Sequence, residues 1–175
     1  NLSVLLSKDL QQYNVTSLTN GISYTFNLYS KNNAGYSTIA STTTASPSTI
    51  PQPPINVTGL AGNQSALLGW DEPSISGGKP LTGYKIVYNN MTASLNVTTS
   101  YNITSLTNGV SYTFAVYALN ENGYSLPSSS LLCTPSTVPQ PPENVTSSVP
   151  SSSTILLGWN PPTDNGGNPV NRYQI

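Results

Sequence analysis

Apolar and polar residues alternate in short runs along most of this chain. In YTFAVYAL, Tyr112, Phe114, Val116 and Ala118 fall on one side, and Thr113, Ala115 and Tyr117 on the other. A period of two marks a half-buried β-strand, because successive side chains on a strand point to opposite faces. SALLGW sets Ala66, Leu68 and Trp70 on one face, and GYKIVYN sets Tyr84, Ile86 and Tyr88 together. Between the runs stand Gly77-Gly78, Asn108-Gly109 and Asn122-Gly123, dipeptides suited to the positive φ of tight turns. Helical spacing is nearly absent. Short strands with regular turns predict an all-β fold of antiparallel β-sandwiches.

The pattern is written twice. YNVTSLTNGISYTF, from Tyr13, returns as YNITSLTNGVSYTF from Tyr101, 88 positions later. STIPQPPINVT (48–58) returns as STVPQPPENVT (136–146) at the same offset of 88. LLGW at Leu67 returns at Leu156, and GGKPLTGYKI at Gly77 returns as GGNPVNRYQI at Gly166, both at an offset of 89. One residue is therefore inserted ahead of the second LLGW. A period of this length is too long for a solenoid unit and is the size of a small β-sandwich domain.

The ordered motifs are Pro-Pro, a strand ending in Trp70, Gly-Gly-x-Pro, and Tyr-x-Ile-x-Tyr from Tyr84. They continue with Leu-x-x-Gly-x-x-Tyr-x-Phe from Leu106 and Asn-x-x-Gly-x-Ser from Asn120. In this order they resemble the fibronectin type III domain. The resemblance implies strands A, B, C, C′, E, F and G, with Trp70 on B and Tyr84 on C as core residues and Trp159 and Tyr173 as their counterparts. It places Leu106 and Tyr112, and Leu18 and Tyr24 before them, at the E–F corner, where a tyrosine hydroxyl bonds back to the backbone. On this alignment residues 51–138 hold a complete domain. Residues 1–50 would hold strands C′ to G and residues 139–175 strands A to C, two complementary partial domains. An incomplete sandwich exposes an apolar face and unpaired edges. Two partners would complete it: covalent continuation with like domains in a tandem array, or head-to-tail strand complementation between subunits.

Composition narrows the function. Charged residues are 6% of the chain, against about 25% in an average soluble protein. A net charge of −1 supplies no field to steer nucleic acid. No apolar run is long enough to span a membrane. Hydration must come from Ser, Thr and Asn, and from sugars if the sequons carry them. Asn-x-Ser/Thr occurs at Asn1, Asn14, Asn56, Asn63, Asn90, Asn96, Asn102 and Asn144. In a chain so rich in Asn, Ser and Thr some sequons arise by chance, so their placement carries the argument. Tyr101 and Ile103 are expected to face inward and Asn102 outward, Val57 inward and Asn56 outward, with Asn63 and Asn90 in turns. N-linked glycans at these sites imply an extracellular or cell-surface location. The Ser/Thr/Pro-rich linkers suit a semi-rigid string.

Candidate chemistry is sparse. Histidine is absent, which removes the commonest acid–base group and metal ligand. Asp71 and Glu72 are adjacent and point to opposite faces of a strand. Gly77-Gly78 lacks the Gly-Lys-Ser/Thr continuation of a phosphate loop. The lone Cys133 cannot form an internal disulfide and reads as a buried inert thiol, with an intermolecular link as the alternative. No cofactor or metal site is expected. Tyr29, Tyr36, Tyr117 and Tyr124, on strands F and G, are either ordinary strand residues or a recognition surface. Three functions fit: a non-catalytic structural component of a glycosylated extracellular fibre, stalk or filament; a cell-surface adhesin or receptor module; and a spacer in a secreted enzyme.

Overall fold

The computed structural model describes residues 3–175 and is all-β. Four strands precede residue 50: β1 (Tyr24–Leu28), β2 (Lys31–Asn32), β3 (Gly35–Tyr36) and β4 (Ser41–Ala45). Eight follow up to Cys133: β5 (Ile55–Gly62), β6 (Ser65–Asp71), β7 (Gly83–Tyr88), β8 (Met91–Leu95), β9 (Ser100–Ile103), β10 (Tyr112–Asn120), β11 (Gly123–Tyr124) and β12 (Leu131–Cys133). The last two are β13 (Glu143–Ser151) and β14 (Thr154–Asn160).

The middle eight strands make two sheets. One runs β5-β6-β9, and the other runs β11-β10-β7-β8, with β12 also paired to β10. All ladders are antiparallel. The inward positions read from the alternation meet in one core. Ala66, Leu68, Trp70 and Ile103 come from the first sheet, and Tyr84, Ile86, Tyr88, Tyr112, Phe114, Val116, Ala118 and Cys133 from the second. The Trp70 and Tyr84 rings pack at 5.4 Å and 58°, and Phe114 packs on Tyr88 at 5.4 Å. A tilted aromatic pair adds about 0.5–1.5 kcal/mol to its area burial.

Pro127 breaks the strand between β11 and β12, because it has no N–H to donate. Serine hydroxyls close the gap. Ala118 N–H donates to Ser125 Oγ and Val116 N–H to Ser128 Oγ, both at 3.0 Å. The opposite bonds, Ser125 N to Ala118 O at 2.8 Å and Ser128 N to Val116 O at 2.9 Å, stay on the backbone.

The flanking segments differ from expectation. Among the described residues no strand precedes Tyr24, so the expected C′ and E strands do not form there. No strand follows Asn160, so the expected C strand around Tyr173 does not form either. The reason is pairing. In the middle unit β9 lies on β6, and β7 lies between β10 and β8. The flanking segments have no such neighbours, and a strand without a ladder leaves its backbone groups to water. Tyr101 also departs from expectation: it is 40% exposed, although Ile103 on the same face is 3% exposed. Strand β9 has a neighbour on one side only, which leaves the ring open at the sheet edge.

Candidate functional site

The most elaborate construction lies where one repeat meets the next. The linker at Thr49 is held by two loops of the following sandwich. Thr49 N–H donates to Gly77 O at 2.9 Å, and Gln52 N–H to Ile75 O at 2.9 Å. Asn120, 2% exposed, donates through its amide to Thr49 O and to Ser76 O, each at 2.8 Å. Its Oδ1 accepts from Asn122 N–H at 2.8 Å, and the Asn122 amide donates to Ser48 Oγ at 3.0 Å. From the preceding repeat comes the corner Asn20-Gly21, whose Gly21 N–H donates to Pro47 O at 2.9 Å.

Glycine is required at this contact. Gly77 and Gly78 have φ of 79° and 86°, in the left-handed region that a side chain disfavours. A Cβ on Gly77 would stand 2.2 Å from Thr49 O, and a Cβ on Gly78 would stand 2.3 Å from Gly21 N. The backbones of two repeats thus touch without side chains between them.

The next boundary is built the same way. Thr137 N–H donates to Gly166 O at 2.8 Å, Gln140 N–H to Asp164 O at 3.0 Å, and Gly109 N–H to Pro135 O at 2.9 Å. A Cβ on Gly166 would stand 2.3 Å from Thr137 O, and one on Gly167 2.4 Å from Gly109 N. The Gly-Gly motif read as a turn is a turn, and it is also half of a joint. What sequence reading missed is its partner, the Asn-Gly of the preceding corner. The two pairs recur together, and that co-occurrence was the available signal.

Behind each corner stands its tyrosine. Tyr112 Oη accepts from Thr107 N–H at 3.0 Å, and Tyr24 Oη from Thr19 N–H at 2.9 Å. Leu106 is buried and Leu18 half-buried. The Asn108 amide donates to Asn63 Oδ1 at 2.8 Å, and Asn108 Oδ1 accepts from Gln64 N–H at 2.8 Å, which ties the corner to the turn between β5 and β6. Trp159 and Tyr173 are not the core residues expected: Trp159 is half-buried and Tyr173 is 40% exposed, because no facing sheet covers them, although their rings still pack 5.3 Å apart.

Of the eight sequons, Asn1 lies outside the described residues. Asn14, Asn56, Asn63, Asn90, Asn96, Asn102 and Asn144 are all exposed, but they are not equivalent. Asn56 has φ of 52° and Asn144 of 51°, each at a break in ladder register. The Asn56 amide nitrogen donates to Asp71 Oδ2 at 2.7 Å. Asn89 and Asn90, with φ of 41° and 66°, form the two-residue turn joining β7 to β8. Asn102 stands on β9.

Asp71, Glu121, Glu143 and Asp164 serve the scaffold. Lys79 pairs with Glu121 at 2.7 Å. Glu143 accepts both the Thr163 N–H and its hydroxyl, which lowers its carboxyl below the usual range. Asp164 caps Gly166 N–H at 2.8 Å. Burial, helped by the Glu72 charge, raises the Tyr84 phenol. Trp70 Nε1 opposes that rise without meeting hydrogen-bond geometry, and both polar atoms are buried without a partner. Cys133 is buried, and burial pushes its thiol up. Among the described residues no three metal-ligating side chains come together. Nor, among the described residues, is any helix long and apolar enough to cross a membrane. Lys85 lies 4.3 Å from the Tyr117 ring centre and 4.2 Å from that of Tyr124, so these two tyrosines engage a cation of their own sheet.

A family model, the fibronectin type III domain, matches residues 50–134. A Kelch domain-containing protein of Saccharolobus solfataricus is 43% identical over 122 residues, covering 67% of this chain and 16% of that protein. Titin of Drosophila melanogaster is 26% identical over 189 residues, covering 97% of this chain and 1% of titin. The chain therefore spans a small part of these relatives. Domains d3–d4 of the rat CD45 extracellular region share the fold, with a TM-score of 0.56 at 15% identity over 77% of this chain and 75% of that one. Residues 50–134 are a fibronectin type III domain, an all-β module of structural or binding kind.

Proposed function

We propose that this chain is a non-catalytic spacer: a stretch of a linear, glycosylated, extracellular or cell-surface string of fibronectin type III domains with a stiff joint at each boundary. One observation carries the reading. Two successive boundaries use the same backbone bonds and the same glycine-on-glycine contact, so each domain is set on the last by the same geometry. A binding module needs no such repetition; a rod does.

The partners are further domains of this kind. On β14, Ile155 is 67% and Leu157 37% exposed, whereas their counterparts Ala66 and Leu68 are 0% exposed beneath the facing sheet. Strands like β7 and β10 would cover them, whether from the same chain or from a neighbouring copy joined head to tail. The exposed sequons and the low charge support sugars as the hydrating layer. A second reading follows from the 43% identical relative: the string is an accessory arm of a longer protein with a different domain elsewhere.

Electron microscopy of the native protein tests the main reading. Straight, unbranched strings of evenly spaced beads are expected, and compact single particles overturn it. The denaturing mass must also fall on enzymatic removal of N-glycans. An unchanged mass removes the glycoprotein part, and the mass itself separates covalent continuation from assembly of short subunits.

A further inference from the structure

The outer face of the β5-β6-β9 sheet carries an apolar row that ends at a sequon. Leu60 pairs with Leu67, and Leu67 pairs with Asn102. Their strand neighbours Ala66, Leu68 and Ile103 point into the core, so this row points out. Leu60 is 69% and Leu67 47% exposed. Beside it runs the row Thr58, Gly69, Ser100. A shallow groove opens beside Gly69, where Thr58 Oγ1 would lie 3.1 Å from a Gly69 Cβ; it is lined by Leu60, Leu67 and Ser100 together with Gly59 and Leu68. Two adjacent exposed leucines on a sheet with an open edge are an association hazard in a chain with so few repelling charges.

We propose that Asn102 is a glycan acceptor whose attached sugar lies along this groove and covers Leu60 and Leu67. The inference rests on the glycoprotein reading above. A pyranose ring suits the place. Its C–H face is apolar enough to cover aliphatic side chains, while its hydroxyls reach Thr58, Ser100 and water. Covalent attachment at the end of the row supplies the sugar at a high effective concentration. Asn102 lies on an edge strand with one neighbour, and Thr104, the hydroxyl of its sequon, sits exposed just past the strand end. Asn56 offers the contrast, since its amide nitrogen is already donated to Asp71. In the transfer, the Asn102 Nδ2–C1 bond forms and the C1–O bond of a polyprenyl-phosphate-linked oligosaccharide donor breaks. The amide proton is lost and the lipid phosphate leaves; nothing is oxidised or reduced.

Glycopeptide mass spectrometry of the native protein, read sequon by sequon, tests the site. Asn102 is expected to be occupied in nearly every molecule and Asn56 far less. Glycans at Asn63 or Asn90 with none at Asn102 overturn the inference and leave the glycoprotein reading standing. No glycan at any sequon overturns both. The covering role is read from Asn102→Gln and, separately, Thr104→Ala, each made in the native host. Both should raise the binding of a hydrophobic dye about two-fold as the two leucines become accessible. Adding Leu60→Ser and Leu67→Ser should reverse the rise. Full occupancy with unchanged dye binding overturns the covering role.

Discussion

The corner tyrosines show how much a single hydroxyl can hold. Tyr112 Oη accepts the part-buried Thr107 N–H, and Tyr24 Oη makes the same bond to Thr19 at an exposed corner. Tyr112→Phe keeps the ring and removes the acceptor. The Thr107 N–H is then left partly buried and unpaired, which costs about 1–3 kcal/mol. Urea unfolding should show that loss for Tyr112→Phe and a smaller one for Tyr24→Phe, where water replaces the phenol. Equal losses at the two sites would mean that burial is not what gives the bond its weight. At this scale the core was legible from alternation alone: Ala66, Leu68, Tyr84, Ile86, Phe114 and Val116 are all under 2% exposed. Asn120 was not. In sequence it only opens the Asn-x-x-Gly-x-Ser motif, yet it is buried and grips the linker. A polar side chain in a turn gives no sign in sequence of whether its partner is water or a backbone carbonyl far along the chain. Ser125 and Ser128 hid for the same reason, their role following from Pro127 between them.

Among the elements, the β7–β8 hairpin turns on two residues. Asn89 and Asn90 both have positive φ, the pattern of a type I′ turn, whose twist matches that of the flanking strands. Asparagine tolerates that region better than most residues, and alanine does not. Asn90→Ala is expected to destabilise the middle domain by about 1–2 kcal/mol, and Asn90→Gly to leave it unchanged or more stable. Urea midpoints at constant slope would check this. If alanine proves as stable as glycine, the turn is not of this type. Tyr88↔Met91 to Tyr84↔Leu95 is the ladder this turn sets in register. Sequence marked the turn but could not foresee which flanking strands would be missing. Ile155, Leu157 and Trp159 alternate as Ala66, Leu68 and Trp70 do, and they belong to a strand in each case. Only the middle copy has a second sheet to bury them. Period two states that one face is apolar; what covers that face is a fact about distant residues.

For the whole molecule the deciding feature is the joint, because the reach of a string of domains depends on the angle kept at each boundary as well as on domain size. A joint is stiff when its bonds and its contact agree on one geometry. Here the linker amides of Thr49 and Gln52 are bonded to the following domain, and Gly78 lies against the corner of the preceding one. Gly78→Ala separates these effects. Its Cβ would meet Gly21 N at 2.3 Å and the Asn20 carbonyl carbon at 2.8 Å. Those are backbone atoms, which cannot rotate away, so the repeats must part. The bond from Thr49 N to Gly77 O, one residue from the substitution, should open more often. A net loss of about 0.5–1.5 kcal/mol for one such bond is roughly a two- to twelve-fold faster amide exchange at Thr49. Amides of β10, deep in the sandwich, should keep their protection, because the substitution touches no core side chain. Loss of protection across β10 would mean that Gly78 is needed to fold the domain itself. Unchanged exchange at Thr49 would mean that the linker is held without the corner. Gly167→Ala must repeat the result at Thr137, since its Cβ would stand 2.4 Å from Gly109 N. A rod of uniform pitch requires both joints to fail alike, and a difference between them would mark one boundary as a hinge.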